Sequence, residues 1–348
     1  MKFIFIIQGE GMGHTTQAIR LYDIIKSKGH DIISVYYGTN PQRDIPSQAI
    51  KHFEPAIHFF RSPNFIRSKN RKGILISRSF IYNILRIPSY IKSILFLRIR
   101  IRDERPDVII NFYDLIGGLS WFFSSSKADF YAISHHFLFE HPGFPDLKGF
   151  RAQKKLLVLH NRICALGAKK RIALSFRNLK DFNTTMVLPP LVRKDILEST
   201  SQKGEKVVIY LLNEGLSADL LPLFQKFTNI NFQLFMREGL NPNIFPDNVE
   251  ISDPGYEEFK TALVGCSGVI TTSGFETICE AAFLGKPVFL IPSENHFEQF
   301  GNMEDARKAG IALSYLSFQP EHLKPVEREN FRNWCMEAEK IFTDTFSL

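Results

Sequence analysis

Residues 270 to 302 read Ile270-Thr-Thr-Ser-Gly-Phe-Glu-Thr-Ile-Cys-Glu-Ala-Ala-Phe-Leu-Gly-Lys-Pro-Val-Phe-Leu-Ile-Pro-Ser-Glu-Asn-His-Phe-Glu-Gln-Phe-Gly-Asn302. A short apolar strand runs into Ser273-Gly274, where a helix begins. The first turn of such a helix has free N–H groups and the positive end of the helix dipole, and Ser273, Gly274, Phe275, Glu276 and Thr277 carry it. A diphosphate suits that turn. Glu280 lies two turns in, where it can accept bonds from ribose hydroxyls. The next strand ends at Pro292, and the loop to Gln299 brings Glu298 and Gln299, which suit sugar hydroxyls, to the same edge. A strand, a glycine, a helix and a second strand form the repeating unit of a parallel sheet that binds ligands at its carboxyl edge.

The same alternation runs outward in both directions. Lys2 to Gln8 reads as a strand, Gly9 to Gly13 as a loop, Thr15 to Lys28 as a helix and Asp31 to Tyr37 as the next strand. Strands are expected again at 106–111 and 129–134. Pro189-Pro190 cannot continue a helix, and the pattern restarts at Lys206. Further strands follow at 232–235, 249–251, 268–271 and 288–291. The expected fold class is therefore α/β, with two Rossmann-like doubly wound domains facing across a cleft. The expected domains are 1–192, a linker at 193–205, a second domain at 206–326, and a terminal helix, 327–348, crossing back to the first. One face of that helix carries Phe331, Trp334, Cys335, Ala338, Ile341 and Phe342.

Composition narrows the function. Apolar residues make up 44% and charged residues 23%, which excludes a disordered chain, a collagen or a coiled coil. Cys164, Cys266, Cys279 and Cys335 include no CxxC pair, so neither a disulfide framework nor a zinc site is expected. The net charge of +7 conceals an asymmetry: residues 1–195 carry 31 Lys+Arg against 14 Asp+Glu, and residues 196–348 carry 12 against 22. No nucleic-acid-binding signature accompanies the basic half, and nucleic acid is not an expected partner. Between Ile74 and Ile101, Arg78, Arg86, Lys92, Arg98 and Arg100 alternate with apolar residues. That many charges exclude a membrane span but suit an interfacial helix on an anionic leaflet. The expected location is cytoplasmic, peripheral at the inner face of the membrane.

The N-terminal loop, Gly9-Glu10-Gly11-Met12-Gly13-His14, does not match the GxGxxG dinucleotide fingerprint. His14 projects from the carboxyl end of the first strand toward the cleft. Asp114, after the strand at 106–111, has two readings: a carboxylate that orients an imidazole, or a helix N-cap. His135-His136 follow another strand and read as an acceptor-side contact or a buried hydrogen-bonded pair, since their spacing is not that of metal ligands.

Together these stretches resemble the GT-B glycosyltransferases, in particular the MurG-like and UDP-glycosyltransferase families with their family 28 type C-terminal domain. The shared pattern is Gly274, Thr277 and Glu280, then Gly285-Lys-Pro287, then Pro292 followed by Gln299, together with the loop Gly9 to His14. The resemblance implies that His14 is the catalytic base, with Asp114 as its partner; Glu10, in the same loop, is the reserve candidate for the base. It implies a UDP-sugar or other nucleotide-sugar donor, transfer with inversion to a glycan or lipid-linked hydroxyl, and neither metal nor other cofactor. Absence of any Asp-x-Asp pair agrees with the last point. Asn213-Glu214-Gly215 departs from the family's Gly-Ser-rich turn, and Asp253-Pro254-Gly255-Tyr256 falls where the family binds the nucleobase. Two other functions fit the same pattern: a UDP-sugar 2-epimerase, and a non-catalytic protein that binds a sugar nucleotide or glycolipid.

Overall fold

The computed structural model describes residues 1–41, 45–64, 76–211, 214–236, 242–253 and 255–348. The first sheet has seven parallel strands: β1 (Lys2–Ile7), β2 (Asp31–Thr39), β3 (Ile57–Arg61), β4 (Val108–Phe112), β5 (Asp129–Ile133), β6 (Lys170–Leu174) and β7 (Thr185–Leu188). Their order is β3-β2-β1-β4-β5-β6-β7. The second sheet has six: β8 (Val207–Tyr210), β9 (Phe232–Phe235), β10 (Val249–Ser252), β11 (Gly268–Thr271), β12 (Val288–Leu290) and β13 (Leu313–Ser314), in the order β10-β9-β8-β11-β12-β13. Both are doubly wound α/β sheets, as the sequence pattern requires. In each, the order reverses beside the first strand, between β1 and β4 and between β8 and β11, and a crevice opens at such a point.

The central strands are apolar on both faces because helices cover both faces. Phe3 to Ile7 and Val108 to Phe112 are buried throughout. The largest buried cluster extends from β1 through the helix Phe275–Phe283 to Phe331, Cys335 and Phe342, so it joins the two sheets. The C-terminal segment is two helices, Glu329–Met336 and Ala338–Phe346, where the sequence suggests one. It does cross to the first sheet: Trp334 Nε1 donates to the Ser175 carbonyl at 3.0 Å, Phe346 meets Tyr131 edge-on, and Glu339 pairs with Arg20 at 3.3 Å. Among the described residues no single helix is long and apolar enough to cross a membrane, although Arg78–Ile84 and Ile87–Glu104, bent by 59°, pass that test as a pair.

Candidate active site

The loop after β1 is held by close backbone contact. A side chain at Gly9 would meet the Gly38 carbonyl at 2.0 Å, and Gly11 has φ of +82°, so neither position accepts an ordinary L-residue without strain. The helix Gly13–Ser27 follows at once and places His14 in the cleft, buried. Its ring lies 5.4 Å from Tyr113 and 5.6 Å from His136, between centroids. Burial, helped by His136 and His135, pushes the imidazole pKa down to about 3, which keeps it neutral. Glu10 lines a neighbouring crevice with Gly38, Thr39 and Asn64.

Asp114 is not the partner of His14. It caps the helix Leu115–Phe122, with Oδ1 accepting from Gly117 N at 2.8 Å and Oδ2 from Ser62 Oγ at 2.5 Å. Both carboxylate oxygens are thus committed, and burial raises the group to about 6. Of the two readings the sequence leaves open, the N-cap is the observed one. The group beside His14 Nδ1 is Gln17 Oε1, at a long 3.4 Å. Gln17 Nε2 in turn donates to Glu276 Oε1 at 2.6 Å, joining the first helix of one sheet to the cleft-facing helix of the other. Burial raises the Glu276 carboxyl to about 8. Gln17 escapes a sequence reading because its role depends on a residue 259 positions away; the only local signal is its i+3 spacing from His14.

On the opposite side, Gly274 is the N-cap of the helix Phe275–Phe283, and no side chain caps its first turn. Ser273 Oγ is buried without a hydrogen-bond partner, and its carbonyl accepts from Asn302 Nδ2 at 3.0 Å. This leaves backbone donors and a hydroxyl at a dipole's positive end, as an anion requires. Phe275 is stacked between His135 and Phe176, at 4.8 and 4.5 Å between centroids, and is a packing residue. Thr277 is half-buried on the same turn.

Two of the expected donor contacts have other partners. Glu280 receives the Arg193 guanidinium in a two-pronged ion pair, at 2.5 Å from Nε and 2.9 Å from Nη2. The same guanidinium lies 4.5 Å above the Tyr256 ring. Arg193 follows β7 at the start of the expected linker, and it fixes that linker to the helix Phe275–Phe283 of the second sheet. Gln299 Oε1 accepts from Ser293 N at 2.7 Å, closing its own loop. Glu298 instead reaches across the cleft to the two histidines: Oε1 is 3.4 Å from His135 Nε2, and Oε2 is 3.2 Å from His136 Nε2. His136 also stacks on Tyr113 with centroids 4.2 Å apart. Tyr113 has φ of +62°, a strained backbone for a bulky residue, and such strain gathers at functional sites. Asn213 and Pro254, from the two departing stretches, lie outside the described residues.

The whole arrangement has counterparts among known proteins. An uncharacterized glycosyltransferase of Methanosarcina acetivorans is 24% identical over 379 residues, covering 98% of this chain and 94% of its own. MurG of Acinetobacter baumannii matches in structure at 15% identity with a TM-score of 0.56, over 100% of this chain and 99% of that one. A UDP-GlcNAc 2-epimerase of Neisseria meningitidis, solved with UDP-GlcNAc bound, matches at 15% identity with a TM-score of 0.60, over 100% of each chain. These likenesses establish the GT-B fold. Residues 1–324 match the family described as Glycosyl transferase family 1, and the chain belongs to that family of glycosyltransferases.

Proposed function

We propose that this glycosyltransferase moves a sugar from a nucleoside diphosphate, UDP in the first place, to an acceptor hydroxyl presented at an anionic membrane surface, with inversion at the anomeric carbon. The observation that carries this reading is the meeting of His14 with the uncapped helix Phe275–Phe283, joined by the Gln17–Glu276 hydrogen bond. A base and an anion site on opposite walls of one cleft are what an in-line displacement needs.

In this scheme Gln17 sets the tautomer. Its Nε2 is spent on Glu276, so its Oε1 faces His14 Nδ1 and keeps the imidazole proton there. His14 Nε2 then carries the lone pair that takes the acceptor's hydroxyl proton. The acceptor oxygen attacks the anomeric carbon as the bond to the diphosphate breaks. The leaving charge is received by the N–H groups of Phe275 to Thr277 and the Ser273 hydroxyl, the Gly274 N–H being bonded to the Thr272 carbonyl at 2.6 Å. Glu298 is placed to bind the sugar's hydroxyls, and Glu280, held by Arg193, anchors the helix that carries the phosphate donors. No cofactor is needed.

The membrane element of the reading rests on the helices Ile76–Ile84 and Ile87–Glu104. Phe80, Ile81, Leu85, Ile91, Leu95 and Ile99 are exposed there, Leu85 by 73%, beside the cations Arg78, Lys92 and Arg102. An apolar patch with basic neighbours is the surface an anionic bilayer attracts.

The test is binding and turnover without added metal, using UDP, GDP and dTDP and their sugars. Calorimetric binding of one nucleotide family, followed by transfer to a lipid-linked acceptor, is expected. Binding of none would end the donor assignment, while epimerised donor without an acceptor would mark 2-epimerase chemistry.

A further inference from the structure

We propose that His135, His136 and Glu298 form a binding site for a divalent transition-metal ion, zinc above all, assembled when the two halves of the molecule close on each other. The histidines open the short 3-10 helix His135–Glu140 after β5, and Glu298 lies in the first turn of the helix Phe297–Lys308 after β12. The sequence expects no metal because two adjacent histidines have no ligand spacing. The third ligand comes from the other sheet.

The ligand atoms are close enough to share one ion. One atom from each residue can be taken so that all three lie within 4.8 Å of one another, and each histidine Nε2 faces a different oxygen of the Glu298 carboxylate, at 3.4 and 3.2 Å. Charge-assisted N–H···O bonds are shorter, about 2.7–2.9 Å. Ligands held about 2.0–2.1 Å from a tetrahedral zinc ion stand about 3.3–3.4 Å apart, so the widest pair draws in when an ion binds.

One surrounding hydrogen bond turns a lone pair toward that space. Asn302 Nδ2, fixed by its bond to the Ser273 carbonyl, stands 3.4 Å from His135 Nε2, a long contact that a bound ion would replace. Ser134 Oγ holds His136 Nδ1 at 2.7 Å, which leaves Nε2 directed at Glu298. Such support of the second ring nitrogen is the usual outer shell of a metal-bound histidine. Among the described residues no lysine or arginine ion-pairs with Glu298; the side chains facing its carboxylate are the two imidazoles. Two imidazoles and one carboxylate suit zinc or cobalt, whereas magnesium and calcium favour all-oxygen sites. Three protein ligands leave a fourth position for water. Resting on the function proposed above, an ion there would take the carboxylate assigned to the sugar, beside His14, and inhibit transfer.

The experiment is a titration of the metal-stripped full chain with cobalt chloride, read by visible absorption. Tetrahedral cobalt bands saturating at one equivalent and displaced by zinc are expected. Glu298→Gln and His136→Ala should abolish them, and Ser134→Ala should weaken binding about 10–100-fold. Zinc should also raise the melting temperature of the wild type but not of Glu298→Gln. Absence of bands in the wild type, or bands that survive Glu298→Gln, would overturn the proposal. The readout uses no substrate: sugar transfer without cobalt bands refutes the metal site alone, and cobalt bands without nucleotide binding refute the donor reading alone.

Discussion

The two walls of the cleft are made of different materials. The first is made of side chains: His14, Tyr113, His135 and His136, buried rings packed against one another, with His136 stacked on Tyr113. The second is mainly backbone: the first turn of Phe275–Phe283 behind Ser273-Gly274, with Glu276, Glu280 and Glu298 around it. The difference fits the chemistry that the proposed function gives each wall. A proton is exchanged by a single atom with a defined lone pair, so that wall needs an oriented ring. Diphosphate charge is spread over many oxygens, and backbone donors satisfy it with any small residue. The walls should therefore respond differently to mutation, the first losing rate and the second losing affinity.

The largest expected effect is on the first wall. His14→Ala should lower kcat by roughly 10²–10⁴-fold, the usual contribution of a general base, while calorimetric affinity for the nucleotide stays unchanged. Asp114→Ala, by contrast, removes a helix cap, and should cost about 0.5–2 kcal/mol in denaturant unfolding. A kcat loss in Asp114→Ala as large as that of His14→Ala would put Asp114 back beside the base.

Next in size is the buried pair beneath the second wall. Arg193→Met leaves Glu280 charged and uncompensated, which should cost about 3–5 kcal/mol in urea unfolding. The double variant Arg193→Met, Glu280→Leu should recover most of it. No recovery would mean that Arg193 acts through Tyr256 rather than through the ion pair.

The contact that joins the walls has a pH signature. Burial raises Glu276 from 4.5 to about 8. Between those values the native carboxyl holds a proton that the unfolded chain has released, so stability falls as pH rises through that range. Unfolding measured from pH 4.5 to 8 should show this decline in the wild type and a flatter profile in Glu276→Gln. Equal slopes would show that Glu276 is not buried in solution and that the walls stand apart.

The smallest effect on stability is expected on the exposed helices. Leu85→Glu should change unfolding by no more than about 0.5 kcal/mol, since the side chain is 73% exposed. It should nevertheless weaken sedimentation with anionic vesicles. Unchanged sedimentation would remove the bilayer from the account.

How far the sequence could be read depended on whether each signal was local. β1, β4, β8 and β11 are each built on a short apolar run, Phe3–Ile7, Val108–Ile110, Val207–Tyr210 and Gly268–Ile270, and each is visible as such. By contrast, β6 begins Lys170-Arg171 within a stretch whose charge draws the eye, β3 carries His58 and Arg61, and β13 has only two residues, too few for any pattern. The glycine loop announces His14 because close backbone approach demands glycine there. Asp114 fits a cap and a catalytic partner equally well, and only its neighbours Ser62 and Gly117 decide between them. Gln17, Arg193 and Tyr113 were passed over for one reason: each takes its meaning from a distant residue or from a backbone angle.

The returning C-terminal helices make the chain a closed circuit, out through residues 189–206 and back through Trp334, Glu339 and Phe346. The exposed stretch Thr200–Lys203 sits on the outward leg. A cut there leaves two fragments, the second of which carries its own clasp for the first. The two fragments are therefore expected to stay associated after the cut, which size-exclusion chromatography of the cleaved chain would check.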